Sequence, residues 1–324
     1  MSVDTSGFTH RFVDSSGHRI HVVEAGQGPG VVMVHGFPES WYSWRHQILA
    51  LANAGYRAVA IDVRGYGRST KPAPIDAYAM TSLVGDVVEV INDLGPDPSV
   101  VVGHDWGAPI AWNTALLRPD RVRAVAGLSV PYSPRGDTPP LDVFRMLAGD
   151  QIFYIDYFQE PGVAEAEVEA DLASWLRGFY FTASGEADLS AAPMSMVTPG
   201  GQLRDRFQLP EEGQMQWMST TDFEFYLGEF ERSGLTGGFN RYRNITRDWQ
   251  ELAPWRHAPI TVPAFFIGGD RDGPTQWGAE SIARFASSLP QLMGSHILDG
   301  CGHWTQQEQP AKVNELLLGF LSSL

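Results

Sequence analysis

Five residues, Gly103-His104-Asp105-Trp106-Gly107, constrain this chain more than any others. They follow the apolar run Val100-Val101-Val102 and lead into Ala108–Leu117, which reads as a helix. A buried strand, a tight turn with glycine on both sides and then a helix is the layout of a nucleophile elbow. The central residue of such a turn sits in a strained backbone conformation at the carboxyl end of the strand. Its flanking positions must be small because strand and helix approach each other closely there. Taken alone, Gly-x-Asp-x-Gly is equally readable as an ordinary turn, since Asp and Gly both favour turns.

Where an elbow usually carries Ser, this one carries Asp105, and that sets the chemistry. A hydroxyl is a weak nucleophile until a base takes its proton. A carboxyl with an unperturbed pKa of about 3.9 is already an anion at neutral pH. It can attack a saturated carbon in line and expel a leaving group, forming an ester. The base is then free to activate the water that hydrolyses the ester.

Elements alternate on either side of the elbow. His10–Val13 and Arg19–Val23 read as a hairpin turning at Ser15-Ser16-Gly17. Val31–Val34 is a short buried strand, and Ser40 is placed to cap a helix carrying Trp41, Trp44, Ile48 and Leu51. Arg57–Val63 is the next strand. Met80, Leu83, Val84, Val87, Val88, Ile91 and Leu94 keep helical spacing before Gly95. Val122–Val130 is a strand ending at Pro131; Val262–Gly268, a helix around Trp277–Leu289, the strand Ser295–Leu298 and a helix from Pro310 resume the pattern. This predicts an α/β core of parallel strands covered on both faces. Residues 1–131 and 256–324 form that core, and 132–255 form a helical insertion with loops at Ala183–Gly201 and Pro210–Met218.

Ligands of such sheets bind outside the carboxyl ends of the strands. Asp105, then Asp270 or Asp272, then His303 fall at such ends. Nucleophile, acid and histidine in that chain order match the α/β-hydrolase triad. Asp270 and Asp272 compete for the acid position, because Gly269-Asp270 and Asp272-Gly273 both have turn chemistry. Cys301, two residues before His303, is read as a small packed residue in preference to a catalytic thiol. The elbow would supply the Trp106 N–H, and the His35–Pro38 loop the Phe37 N–H, as oxyanion donors.

His35-Gly36-Phe37-Pro38-Glu39-Ser40-Trp41, Gly103–Gly107, Phe158-Gln159-Glu160-Pro161-Gly162 and Gly302-His303-Trp304 together resemble the α/β-hydrolase-fold epoxide hydrolases of the soluble type. The resemblance runs from about Phe12 to Leu321 and includes the insertion. It implies an α/β-hydrolase fold, a mostly parallel central sheet flanked by helices, with the insertion as a lid. It also implies conversion of an epoxide and water to a vicinal diol through an ester on Asp105, with no cofactor and no metal. By resemblance Asp272 is the triad acid, orienting His303. Two ring-opening tyrosines match Tyr154, upstream of Phe158–Gly162, and Tyr242 in Asn240-Arg241-Tyr242-Arg243-Asn244. Arg241 departs from a Trp carried there by a member of the family. Glu39 and His104 match residues that help position the hydrolytic water. Two phenols suit the task, since with pKa values of about 10 they stay protonated and can donate to the departing oxygen.

A haloalkane dehalogenase shares the fold and the Asp nucleophile, but a halide leaves without a proton. Phe37 and the insertion tyrosines point away from it. A non-catalytic binding protein would have no need of Asp105, Asp272 and His303 together. The 23 basic and 38 acidic residues give a formal charge of −15, which argues against nucleic acid. A single cysteine excludes an internal disulfide and suits a reducing compartment. The first thirty residues hold no signal-peptide core, and no run approaches the ~20 residues of a membrane span. A cytoplasmic protein without membrane insertion is expected, and association into a homodimer stays open.

Overall fold

The computed structural model describes residues 3–191, 193–211 and 214–324. Residues 192, 212 and 213, within the two loops expected in the insertion, lie outside the described residues.

The chain opens with the hairpin β1 (Thr9–Ser15) and β2 (His18–Ala25), antiparallel from Thr9–Glu24 to Ser15–His18. Its two-residue turn puts Ser16 and Gly17 at φ 47° and 84°. Two positive φ values give the turn whose twist matches that of its strands. There follow β3 (Gly30–Val34), β4 (Arg57–Ile61), β5 (Ser99–His104), β6 (Val122–Leu128), β7 (Ala264–Gly269) and β8 (Leu292–Leu298). They form one sheet in the order β1-β2-β4-β3-β5-β6-β7-β8. All pairings from β4 to β8 are parallel, and β2 is antiparallel to both its neighbours. Every residue of β5 is buried, as a central strand covered on both faces requires.

Crossover helices lie where the spacing places them. Met80–Leu94 buries Met80, Leu83, Val84, Val87, Val88 and Ile91, and ends at Gly95 with φ 141°. Each fully buried aliphatic side chain contributes about 1.5–3 kcal/mol. Ser40 caps a short 3₁₀ turn, Trp41–Trp44, by accepting the Tyr42 N–H, and the helix proper is Arg45–Asn53. The single helix expected around 277–289 is instead three pieces: Gly273–Trp277, Ala279–Ala283 and Phe285–Ser288. At the first break Gly278 lies flat against Pro131, where a Cβ would stand 2.2 Å from the proline Cγ. β8 starts three residues earlier than Ser295, because Leu292 already pairs with Ala264.

Between β6 and β7 the chain is largely helical, with the longer helices Pro140–Ala148, Leu172–Thr182 and Thr220–Ser233. A two-residue pairing of Ile152–Phe153 with Met196–Val197 ties its loops together. It seats on the rest of the chain through buried polar contacts. The Tyr180 hydroxyl donates to the Pro38 carbonyl at 2.6 Å and the Tyr42 hydroxyl to Asp222 at 2.8 Å. Among the described residues no helix is long and apolar enough to cross a membrane.

Candidate active site

Asp105 leaves β5 with φ 51°, a left-handed conformation that a residue with a Cβ holds only under constraint. Packing supplies the constraint. A Cβ on Gly103 would stand 2.0 Å from the Gly107 carbonyl oxygen, and one on Gly107 2.0 Å from that of Val34. The strand and the following helix, Gly107–Leu117, therefore meet backbone to backbone, and the Asp105 side chain is left on the apex.

That side chain is 11% exposed. The Phe37 N–H donates to its Oδ1 at 2.7 Å, and His303 Nε2 lies 3.4 Å from its Oδ2. Burial pushes the carboxyl pKa up, but His303, the His104 ring and the Phe37 amide outweigh it and hold the pKa below the ordinary Asp value. One oxygen is thus pinned by an amide and the other left to the cavity and the imidazole. The Trp106 amide follows directly, at the start of the helix.

His303 Nδ1 donates to Asp272 Oδ1 at 2.9 Å. Burial pushes the imidazole pKa down, yet the charges of Asp272 and Asp105 push it up further, to well above its ordinary value. The two neighbouring carboxylates thus favour the protonated ring. Asp272 has no exposed surface, whereas Asp270 is exposed and spends its Oδ1 on the Cys301 N–H at 3.2 Å. Of the two competing acids, only Asp272 reaches the histidine. Cys301 is buried, and burial pushes its thiol pKa up, so it stays a packed thiol.

A cavity of about 200 Å³ is lined by Asp105, His303, Tyr154 and Tyr242 together with Phe37, Met194 and Trp277. Tyr154 begins the helix Tyr154–Tyr157, and Tyr242 ends the helix Thr236–Tyr242; their ring centroids are 6.0 Å apart. Burial raises both phenol pKa values, and the nearby Asp105 charge raises them further, so both stay protonated. Tyr242 is fixed from two sides. Gln159 donates to its carbonyl at 3.0 Å, and the neighbouring Arg241 donates to the Tyr78 carbonyl, pairs with Asp248 and lies 4.7 Å over the Trp106 ring. Arg241 also lines a larger cavity, about 480 Å³, behind Trp106, which shares no lining residue with the catalytic one.

Glu39 and His104 sit behind Asp105 and are not among the residues lining its cavity. His104 Nδ1 faces Glu39 Oε2 at 2.8 Å, and its Nε2 faces the His303 carbonyl at 2.7 Å. Glu39 also accepts from the Gly36 amide and from the side chains of Gln306 and Gln307. Two contributors were not anticipated. Asp272 Oδ2 accepts from the Ser129 hydroxyl at 2.7 Å and from the Thr275 hydroxyl and N–H at 2.6 and 3.2 Å. Asp272 caps the helix Gly273–Trp277, so Asp-Gly-Pro-Thr carried a readable capping signal for Thr275. Nothing local in the sequence marks Ser129.

A family model described as alpha/beta hydrolase fold matches residues 29–310. Epoxide hydrolase B of Mycobacterium tuberculosis is 45% identical over 97% of this chain and 98% of its own length. Epoxide hydrolase A of the same organism is 46% identical over 98% of each. The solved structure of an epoxide hydrolase from an endophytic Streptomyces superposes with a TM-score of 0.94 at 54% identity, covering 98% of this chain and 96% of that one. With the elbow, the sheet order and these likenesses along nearly its whole length, the chain belongs to the epoxide hydrolases of the α/β-hydrolase fold.

Proposed function

We propose that this epoxide hydrolase works through Asp105 as nucleophile, Tyr154 and Tyr242 as donors to the epoxide oxygen, and the His303–Asp272 pair as water activator, beneath a lid formed by residues 132–255. The observation that carries the reading is that one cavity is lined by both the carboxylate, whose pKa is held below the ordinary value, and the two phenols, whose pKa values are raised. Asp105 Oδ2, the oxygen not held by Phe37, attacks the ring carbon as the C–O bond breaks. The ring oxygen, leaving as an alkoxide, takes hydrogen bonds and a proton from the phenol side. Oδ1 becomes the ester carbonyl oxygen, already on the Phe37 N–H.

Charge then links the two halves of the reaction. Esterification removes the anion that lies 3.4 Å from His303 Nε2. The imidazole loses one of the two charges that held it protonated, and it becomes a base. The proton that His303 gives up restores the phenol that protonated the alkoxide, so the half-reaction balances. Neutral His303 takes a proton from water, the hydroxide adds to the ester carbonyl carbon, and its oxyanion is met by the amides of Phe37 and Trp106. Collapse breaks the ester C–O bond, and the departing oxygen takes the hydrogen left on the added hydroxyl, so a vicinal diol leaves, Asp105 is again a carboxylate and His303 keeps the proton drawn from water. Glu39 and His104 support this wall from behind, fixing the His303 backbone and the water side of the loop.

The test is intact-protein mass spectrometry after adding an epoxide. Asp105→Ala should show neither turnover nor mass gain, whereas His303→Gln should gain the mass of one epoxide and hold it. Absence of any adduct on the His303 variant would remove the covalent step. Chloride release from a chloroalkane, in place of diol formation, would replace the reaction itself.

A further inference from the structure

Among the described residues, those other than glycine with positive φ include Asp105, at 51°, and Ser129, at 69°. Ser129 directly follows β6, and its N–H donates to the Ile267 carbonyl at 2.9 Å. Its own carbonyl oxygen lies 2.9 Å from Thr275 Oγ1, whose single hydrogen goes to the closer Asp272 Oδ2. A left-handed backbone costs free energy for a residue with a Cβ, and it persists where the surroundings over-determine it, which happens most often at functional sites. Here the outcome is that a fully buried hydroxyl points at both members of one pair. Its oxygen is 2.7 Å from Asp272 Oδ2 and 3.0 Å from His303 Nδ1.

Hydrogen accounting assigns the roles. His303 Nδ1 is a donor toward Asp272 Oδ1, so it cannot accept the hydrogen of Ser129. The single hydroxyl hydrogen therefore goes to Asp272 Oδ2, and the hydroxyl oxygen faces the His303 N–H as a second acceptor. We infer that Ser129 is a positioning residue of the ester-hydrolysis step, holding the buried Asp272 carboxylate and His303 aligned for proton abstraction from water. It touches neither substrate nor reacting atoms; it acts through Asp272. This rests on the reading that His303 and Asp272 drive hydrolysis.

The sign of the effect follows. A hydroxyl donating to a carboxylate disperses its negative charge. Without that donor Asp272 binds the imidazole proton more tightly. Losing the acceptor on the His303 N–H works the other way, but that contact is the longer one, 3.0 Å against 2.7 Å to Asp272, so the lost donor to the carboxylate dominates and His303 stays protonated to higher pH. Attack by Asp105 uses neither group as a base and should proceed.

Two variants separate the hydroxyl from the backbone. Ser129→Gly removes the hydroxyl and accepts φ 69° without strain, whereas Ser129→Ala removes it and keeps the strain. Rapid-quench mass spectrometry with styrene oxide as probe follows ester formation and decay as a function of pH. In both variants formation should stay within about twofold of the parent while decay slows about tenfold, so that ester accumulates. The pH at half-maximal decay should rise by about 0.5–1 unit. Decay at the parental rate in Ser129→Gly overturns the inference, and so does an equal fall in formation and decay with no pH shift. A parent enzyme that never forms ester would overturn the covalent reading itself, and this inference with it.

Discussion

Removing the Asp105 charge should convert His303 from a cation to a neutral imidazole at a pH where the parent is protonated. The two groups are 3.4 Å apart and both nearly buried. At an effective dielectric constant of about 20, unit charges at that distance interact by about 5 kcal/mol, equivalent to about 3–4 pK units. That is a ceiling, because water entering the space left by Asp105→Ala returns part of the loss, while Asp272 keeps its own hold on the ring. A downward shift of at least about 1.5 units is expected. The assay is an NMR titration of the His303 ring in the parent and in Asp105→Ala, with the signal assigned by its disappearance in His303→Gln. An unchanged or raised pKa would refute the proposed coupling between esterification and base activation. The variant mimics the charge state of the ester, so the same titration measures how far alkylation itself moves the base.

Tyr154→Phe and Tyr242→Phe should each slow ester formation by about a hundredfold and leave ester decay nearly unchanged, read by the same quench experiment; the double variant should form almost none. Equal slowing of both half-reactions would place the phenols elsewhere in the cycle. Arg241→Met strips Asp248 of its buried partner and should cost about 3–5 kcal/mol in urea unfolding. Pairing it with Asp248→Asn should recover part of that. If Arg241 matters only through this ion pair, the double variant should also regain the rate of ester formation.

Much of the core was legible because buried parallel strands and amphipathic helices leave local signatures. The apolar run Val100–Val102 between glycine-bounded turns could hardly be anything but a central strand, and the Met80–Leu94 spacing matches the face it buries. Misreadings fall where a distant residue decides the local conformation. Gly278 breaks a helix because Pro131, from the other side of the insertion, lies against it. Residues 277–289 carry no sign of that neighbour. Asp270 and Asp272 are equivalent as turn formers, and only burial and the reach to His303 tell them apart.

From residue order came the sharp strand-to-helix bend at Asp105, because the glycines on either side mark a close approach within a few residues; the expected partners came from chain order and the family resemblance. Assembly in three dimensions brought Asp272 and not Asp270 to His303, placed two tyrosines from separate helices in the cavity that Asp105 lines, and brought in Ser129 from the end of a neighbouring strand. Those outcomes depend on distances between segments many residues apart. Such distances are set by the packing of the sheet and its insertion, and no local pattern of side chains encodes them.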